Sequence, residues 1–264
     1  MRVGIITGSG TYALPSLSDA VSEEAITPFG ACLLTKGTLA GVEVVHVSRH
    51  GAGHARLSSH VNHRANLLAL RDRGAEAILA VTVCGAVDPT IELGSLIVFD
   101  DLHFLANRLP GGELCSVFAA GQPGRGHWVF ESPFSPPLRR ALLEGAAGGD
   151  PARPVRDGGC YGHVDGPRFN TRAEISMLAG CGVSAVSQTA GPETVLAGEL
   201  ELPFALLGYA TDYANGVMPE PTPVAELIGL IAASTESFAA VIPAAGARLD
   251  GAAPAPTGTV LRFD

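Results

Sequence analysis

Arg49, His50 and Asp212 are the residues of this sequence with most to offer a reaction, and each stands just beyond a short apolar run. Arginine presents a rigid fork of N–H donors to an oxyanion. Histidine exchanges a proton near neutral pH. A carboxyl group acts as acid or base once its surroundings set its pKa. Small polar residues close the other apolar runs. Gly8-Ser9-Gly10-Thr11 follows residues 3–7. Thr82 lies within residues 77–84, which end at Cys84-Gly85. Gln188-Thr189 ends residues 183–188, and Thr211-Asp212-Tyr213 follows 204–210. Hydroxyls, free backbone N–H groups and one arginine are the usual means of holding a phosphate. The aspartate is the odd member and points to a second, proton-handling task.

Each piece also has a plainer reading. Gly8 to Ala13 matches G-x-G-x-x-A, a dinucleotide fingerprint. Pro15 interrupts the helix that should follow, and no acidic strand end arrives on schedule, so a tight turn or a small phosphate loop is the better reading. Five of the eight histidines fall between residues 46 and 63. His50 and His54 have metal-ligand spacing on a helix, but the glycines at 51 and 53 argue against a helix, and no cysteine or carboxylate pattern completes a site. No metal is expected. Taken singly, Arg49 reads as a surface arginine and Asp212 as a helix cap; their joint placement after separate strands favours a site.

The elements that must position these residues are strands alternating with helices. Residues 3–7, 43–48, 77–84, 95–99, 183–188 and 204–210 read as strands, and the unbroken apolar stretch at 77–84 suits a strand buried on both faces. Residues 61–73 read as a helix, as do a segment opened by the capping-box spacing of Thr171 and Glu174, one beginning at Pro192-Glu193, and residues 223–241. This is an α/β pattern, a mixed, mainly parallel sheet flanked by helices. In such sheets ligands bind beyond the carboxyl ends of the strands. Residues 145–159 look irregular. Residues 1–243 are expected to form one domain, and 244–264 an Ala/Pro-rich tail.

Composition narrows the options. Hydrophobic residues make up 47% and charged residues 16% of the 264, too apolar for disorder. The net charge of −9 disfavours nucleic acid as a partner. Five scattered cysteines without a CxxC suggest a reduced, cytoplasmic protein. No stretch reads as a membrane span, and no membrane partner is expected.

In sequence order, the motifs resemble those of the purine nucleoside phosphorylase family, most closely its methylthioadenosine phosphorylase branch. Gly4 to Gly10 resembles the family's glycine-rich opening. Ser48-Arg49-His50-Gly51 with His54 and Val61 to Asn66 is similar to its "RHG…H…VNY.AN" segment. Cys84-Gly85 with Leu93 to Leu96, Asp165 to Phe169 with Arg172-Ala173-Glu174, Thr189 with Pro192-Glu193, and Ala210 to Tyr213 complete a series spanning roughly residues 3–227. The resemblance implies that Ser9, Arg49, His50, Thr82, the backbone at Val83 and Thr189 hold inorganic phosphate as co-substrate. It implies that Phe169 stacks on a purine, Gln188 lies beside the ribose, and Asp212 faces the purine N7 and 6-substituent. His127 is implied to reach the 5′ end of a nucleoside in a neighbouring subunit, near Leu227, within a homotrimer or hexamer. No organic cofactor is implied.

Four positions depart from the branch. Gln188 replaces a methionine, His63 a tyrosine and Ala214 a second aspartate. Asn170 stands where 6-oxopurine enzymes use a glutamate. The expected reaction is phosphorolysis of 5′-methylthioadenosine or a similar 5′-deoxyadenosine. The alternatives are a 6-oxopurine phosphorylase and a catalytically altered nucleoside-binding homologue.

Overall fold

The computed structural model describes residues 1–249, 251 and 253–263. In chain order, the strands β1 (Arg2–Thr7), β2 (Ser18–Thr27), β3 (Gly30–Leu39) and β4 (Val42–Ser48) precede helix α1 (His63–Asp72). Next come β5 (Ala77–Ala86), β6 (Leu96–Val98), β7 (Asp101–His103), β8 (Arg125–Phe130) and α2 (Pro136–Gly149). β9 (Val155–Asp157), β10 (Cys160–His163), α3 (Arg172–Gly180), β11 (Val183–Ser187) and α4 (Ala190–Glu199) follow. β12 (Phe204–Tyr213), α5 (Val224–Ala247) and β13 (Gly258–Phe263) close the chain.

β5 organises the sheet. Eight of its ten residues are apolar, and all but Val83 are buried. It runs parallel to β1 on one side and to β12 on the other, and β1 is parallel to β4. Four carboxyl ends therefore meet at one edge. β11 enters antiparallel against the end of β5, pairing Ala185 with Ala86, and brings residues 187–189 to the same edge. The expected mixed sheet is present, with parallel pairings in the majority among the described residues.

Other segments differ from expectation. Residues 18–39 form the β2–β3 hairpin, which the charged, alternating composition conceals. Residues 145–149 are the end of α2 rather than irregular chain. α2 holds because Leu138, Ala141, Leu142, Gly145 and Ala146 recur at helical spacing and are buried. At Gly145 a Cβ would lie 2.8 Å from the backbone nitrogen of Ala245, so glycine permits the close approach of α5. α5 runs beyond the expected boundary at residue 243, to Ala247, and carries Pro243 within it. By length and composition alone it is apolar enough to cross a membrane, which the sequence reading missed. It lies against α2 and β12, burying Phe238, Val241 and Ile242. The expected tail contains an ordered strand, β13, paired along its length with β8.

β8 and β13, far apart in the chain, form a two-stranded antiparallel ribbon in which successive side chains point to opposite faces. Trp128 and Val260 turn inward, while His127, Val129, Leu261 and Phe263 face out. A Cβ on Gly198 of α4 would come within 2.4 Å of the Trp128 ring, so this glycine is where the indole seats.

Candidate active site

At the carboxyl edge lies one cleft of about 280 Å³. Ser9, Arg49, His50, Thr82, Val83, Phe169, Asn170, Gln188, Thr189, Asp212, Ala214 and Leu227 all line it. Of the predicted site residues only His127 stands apart. It is exposed on β8, edge-on to Phe263 at 5.5 Å, and does not touch the cleft of its own chain.

The turn after β1 is tight, closed by Thr11 N–H to the Gly8 carbonyl at 3.1 Å, and no helix follows. It lacks the strand–turn–helix context of a dinucleotide fingerprint. A Cβ at Gly8 would stand 2.2 Å from an Arg49 guanidinium nitrogen. Glycine there lets the arginine lie under the turn.

Arg49 is 1% exposed and held on three sides. Its Nε and one terminal nitrogen donate to the two oxygens of Glu193, at 2.6 and 2.8 Å. The other terminal nitrogen donates to the Val81 carbonyl at 2.8 Å. Burial is the largest single influence and works to raise the Glu193 pKa, but the charge and hydrogen bonds of Arg49 together with the nearby His63 outweigh it and hold the carboxylate at about 2. His63 stands behind, its Nδ1 3.7 Å from Glu193. The sequence had placed Glu193 only in the first turn of a helix; its burial against Arg49, 144 positions away, has no local signal.

His50 has a defined tautomer. Its Nδ1 lies 2.8 Å from the Arg56 carbonyl oxygen, which can only accept, so Nδ1 carries a proton. Burial, reinforced by the Arg49 charge, lowers its pKa to about 4. The His54 ring stacks on it at 4.1 Å and 14°, with Nδ1 against the Tyr12 hydroxyl at 3.2 Å. Stacked rings do not converge on a shared metal ion, and the helix that would pair them is a short, kinked turn.

Asp212 is 9% exposed, at the end of β12. Burial raises its pKa, and the Thr211 hydroxyl, donating to Oδ1 at 2.8 Å, pulls the other way. Burial is the larger effect. A Cβ on Gly85 would be 3.1 Å from Oδ2, so glycine lets the carboxyl group pack against β5. Ala214, also buried, removes any second carboxylate at its position.

Gln188 bridges the cleft walls. Its Oε1 accepts from the Ser58 hydroxyl at 2.8 Å, and its Nε2 donates to the Arg168 carbonyl at 3.1 Å. Phe169 is exposed at the rim. The capping box of α3 is formed, and Glu174 also accepts from Asn170 at 3.2 Å. Asn215, absent from the sequence reading, lines the cleft and donates to the Asn170 carbonyl at 2.7 Å. Ser58 and Ser187 also line the cleft, and neither lies in a recognisable motif.

A cleft at the carboxyl edge of a mixed sheet, with a buried arginine at one wall and a buried carboxyl group at another, is the make-up of an α/β group-transfer enzyme. The chain belongs to the phosphorylase superfamily, whose model matches residues 2–245. It is similar to a probable 6-oxopurine nucleoside phosphorylase of Dictyoglomus turgidum, 36% identical over 250 residues that cover 92% of this chain and 91% of that one. It is also similar to the S-methyl-5′-thioadenosine phosphorylase of Caenorhabditis elegans, 36% identical over 220 residues covering 81% and 74%. Among solved structures, methylthioadenosine phosphorylase from Schistosoma mansoni in complex with adenine superposes with a TM-score of 0.86 at 26% identity. That match covers 95% of this chain and 92% of the other.

Proposed function

We propose that the cleft carries out phosphorolysis of a purine nucleoside, yielding the free purine and a ribose 1-phosphate. The observation that carries the reading is one cleft joining an anion end, at Ser9, Arg49, His50, Thr82, the Val83 backbone and Thr189, to a buried carboxyl group at Asp212. Cleaving an N-glycosidic bond builds positive charge on the sugar and negative charge on the departing base. Phosphate at the anion end stabilises the first charge and then attacks the anomeric carbon. Asp212 answers the second. Its raised pKa favours the protonated form, which donates to purine N7 as the bond breaks. Phe169 stacks on the base, and Gln188 flanks the ribose. No metal or organic cofactor takes part.

The preferred substrate is 5′-methylthioadenosine or a similar 5′-deoxyadenosine. A neutral Asp212 donates to N7 with one oxygen and accepts from a 6-amino group with the other. A second reading, a 6-oxopurine nucleoside, is favoured by Ala214, which leaves the site without a second carboxylate. Incubating a nucleoside panel with and without phosphate tests both. Phosphate-dependent release of adenine and a sugar 1-phosphate supports the first, and release of hypoxanthine or guanine the second. Base release without phosphate overturns phosphorolysis. The working unit is proposed to be a homotrimer, in which His127 and the outward apolar face of β8–β13 meet a neighbour's cleft near Leu227. A cytoplasmic, purine-recycling role fits five free thiols, three of them buried.

A further inference from the structure

The anion end of the cleft is less positive than its arginine suggests. Glu193, in the first turn of α4, takes two N–H groups of Arg49, and the two side chains are each 1% exposed. The pair is formally neutral. With a third N–H given to Val81, two of the five guanidinium donors remain for a ligand. Two N–H groups at the start of α4, an ordinary source of positive potential, are also engaged. Those of Thr189 and Ala190 lie 3.4 and 3.1 Å from the Tyr161 hydroxyl. His50 contributes no charge, because its burial and the neighbouring Arg49 keep the ring neutral. With the proton fixed on Nδ1, Nε2 presents a lone pair and has no hydrogen-bond partner among the described residues.

We propose that this site takes inorganic phosphate in its singly charged, protonated form, the anion's P–OH donating to His50 Nε2, and that Glu193 sets this preference by neutralising Arg49. The proposal rests on the phosphorolytic reading above. A doubly charged anion would bring two uncompensated charges, against one for the singly charged form, into a place largely removed from water. It would also set a bare oxygen against the Nε2 lone pair, leaving both acceptors without a donor. The titratable and charged groups around this end are Arg49, His50, His54 and Glu193, with His63 and His163 behind Glu193. Burial holds His163 at about 3, so that ring adds no charge. Asp212 lines the same cleft.

The test is calorimetric affinity for phosphate from mildly acid to mildly alkaline pH, repeated with thiophosphate, whose second ionisation lies at lower pH. The expected result is a fall of about tenfold per pH unit once the anion loses its second proton. That fall should move to lower pH with thiophosphate, and sulfate, which carries no proton, should bind poorly. The same pH profile for both anions, or affinity rising with pH, overturns the proposal. Glu193→Gln, which leaves the Arg49 charge uncompensated, should flatten the fall and admit sulfate. A folded Glu193→Gln protein with an unchanged profile removes Glu193 from the role. Phosphate-dependent turnover is scored in parallel. Its absence at every pH overturns the phosphorolytic reading, whereas turnover with a flat binding profile overturns only the charge selection.

Discussion

Asp212 and Glu193 are both buried carboxyl groups, and their surroundings drive them in opposite directions. Asp212 has a hydroxyl for company and burial prevails, raising its pKa. Glu193 has a guanidinium and stays ionised at about 2. Two pH dependences follow. A raised folded-state pKa means that Asp212 favours the native state at low pH and loses that contribution as pH rises through the raised value. Asp212→Asn should therefore leave Tm unchanged in acid and raise it at alkaline pH. The same variant should lower kcat by roughly 10²–10⁴-fold, and steady-state kinetics with the accepted nucleoside will read it. Glu193 has the reverse sign. Its contribution is present above the ordinary value of 4.5 and disappears as pH falls toward about 2. Arg49→Met or Glu193→Met alone should destabilise by about 3–5 kcal/mol, because each strands a buried charge. The double variant should recover much of that loss in denaturant melts.

At the scale of elements, what the sequence disclosed and what it hid follow from the range of the interactions. β5 was legible as an unbroken apolar run, as a doubly covered strand requires, and β1, β4, β11 and β12 as short runs rich in apolar and β-branched residues. The α3 capping box was legible because Thr171 and Glu174 meet within one turn. α2 was not, because Pro136, Pro137, Gly145, Gly148 and Gly149 look like loop residues until α5 is laid against them. β13 was hidden by the Ala/Pro segment before it and by a partner strand far away in the chain. The site divides the same way. Its motif residues stood at strand ends, whereas Asn215, Ser58 and the Arg49–Glu193 pair are products of tertiary approach. One element-level contact is directly testable. Gly198→Ala would drive a methyl into the Trp128 ring, and overpacking of this kind costs about 1–3 kcal/mol. Trp128 is the only tryptophan. Its emission should shift to the red as β8 lifts from α4, with a lower Tm in the same sample.

For the whole molecule, the outward face of β8–β13 presents Val129 and Leu261 at 54% and 56% exposure, beside His127. A charge there would not disturb Trp128 or Val260, which point the other way. On the proposed trimer, Leu261→Glu is expected to shift sedimentation toward a smaller species while preserving the circular dichroism spectrum, and unchanged sedimentation would remove this face from the assembly. If His127 serves a neighbour's cleft, KM for the nucleoside should rise in the same preparation, and His127→Ala should raise KM without changing sedimentation.

Nearly all of the basic side chains are arginines, and the sequence holds one lysine, Lys36. It sits on β3, half exposed and paired with Glu23 at 2.7 Å, on the hairpin beyond β4 and outside the set of residues lining the cleft. Among side chains, amine-directed reagents therefore meet Lys36 alone, with a chain-terminal α-amine as the other reactive amine. A dye, an affinity handle or a solid support coupled through Lys36 would attach every copy in one orientation, with the cleft left open to solvent.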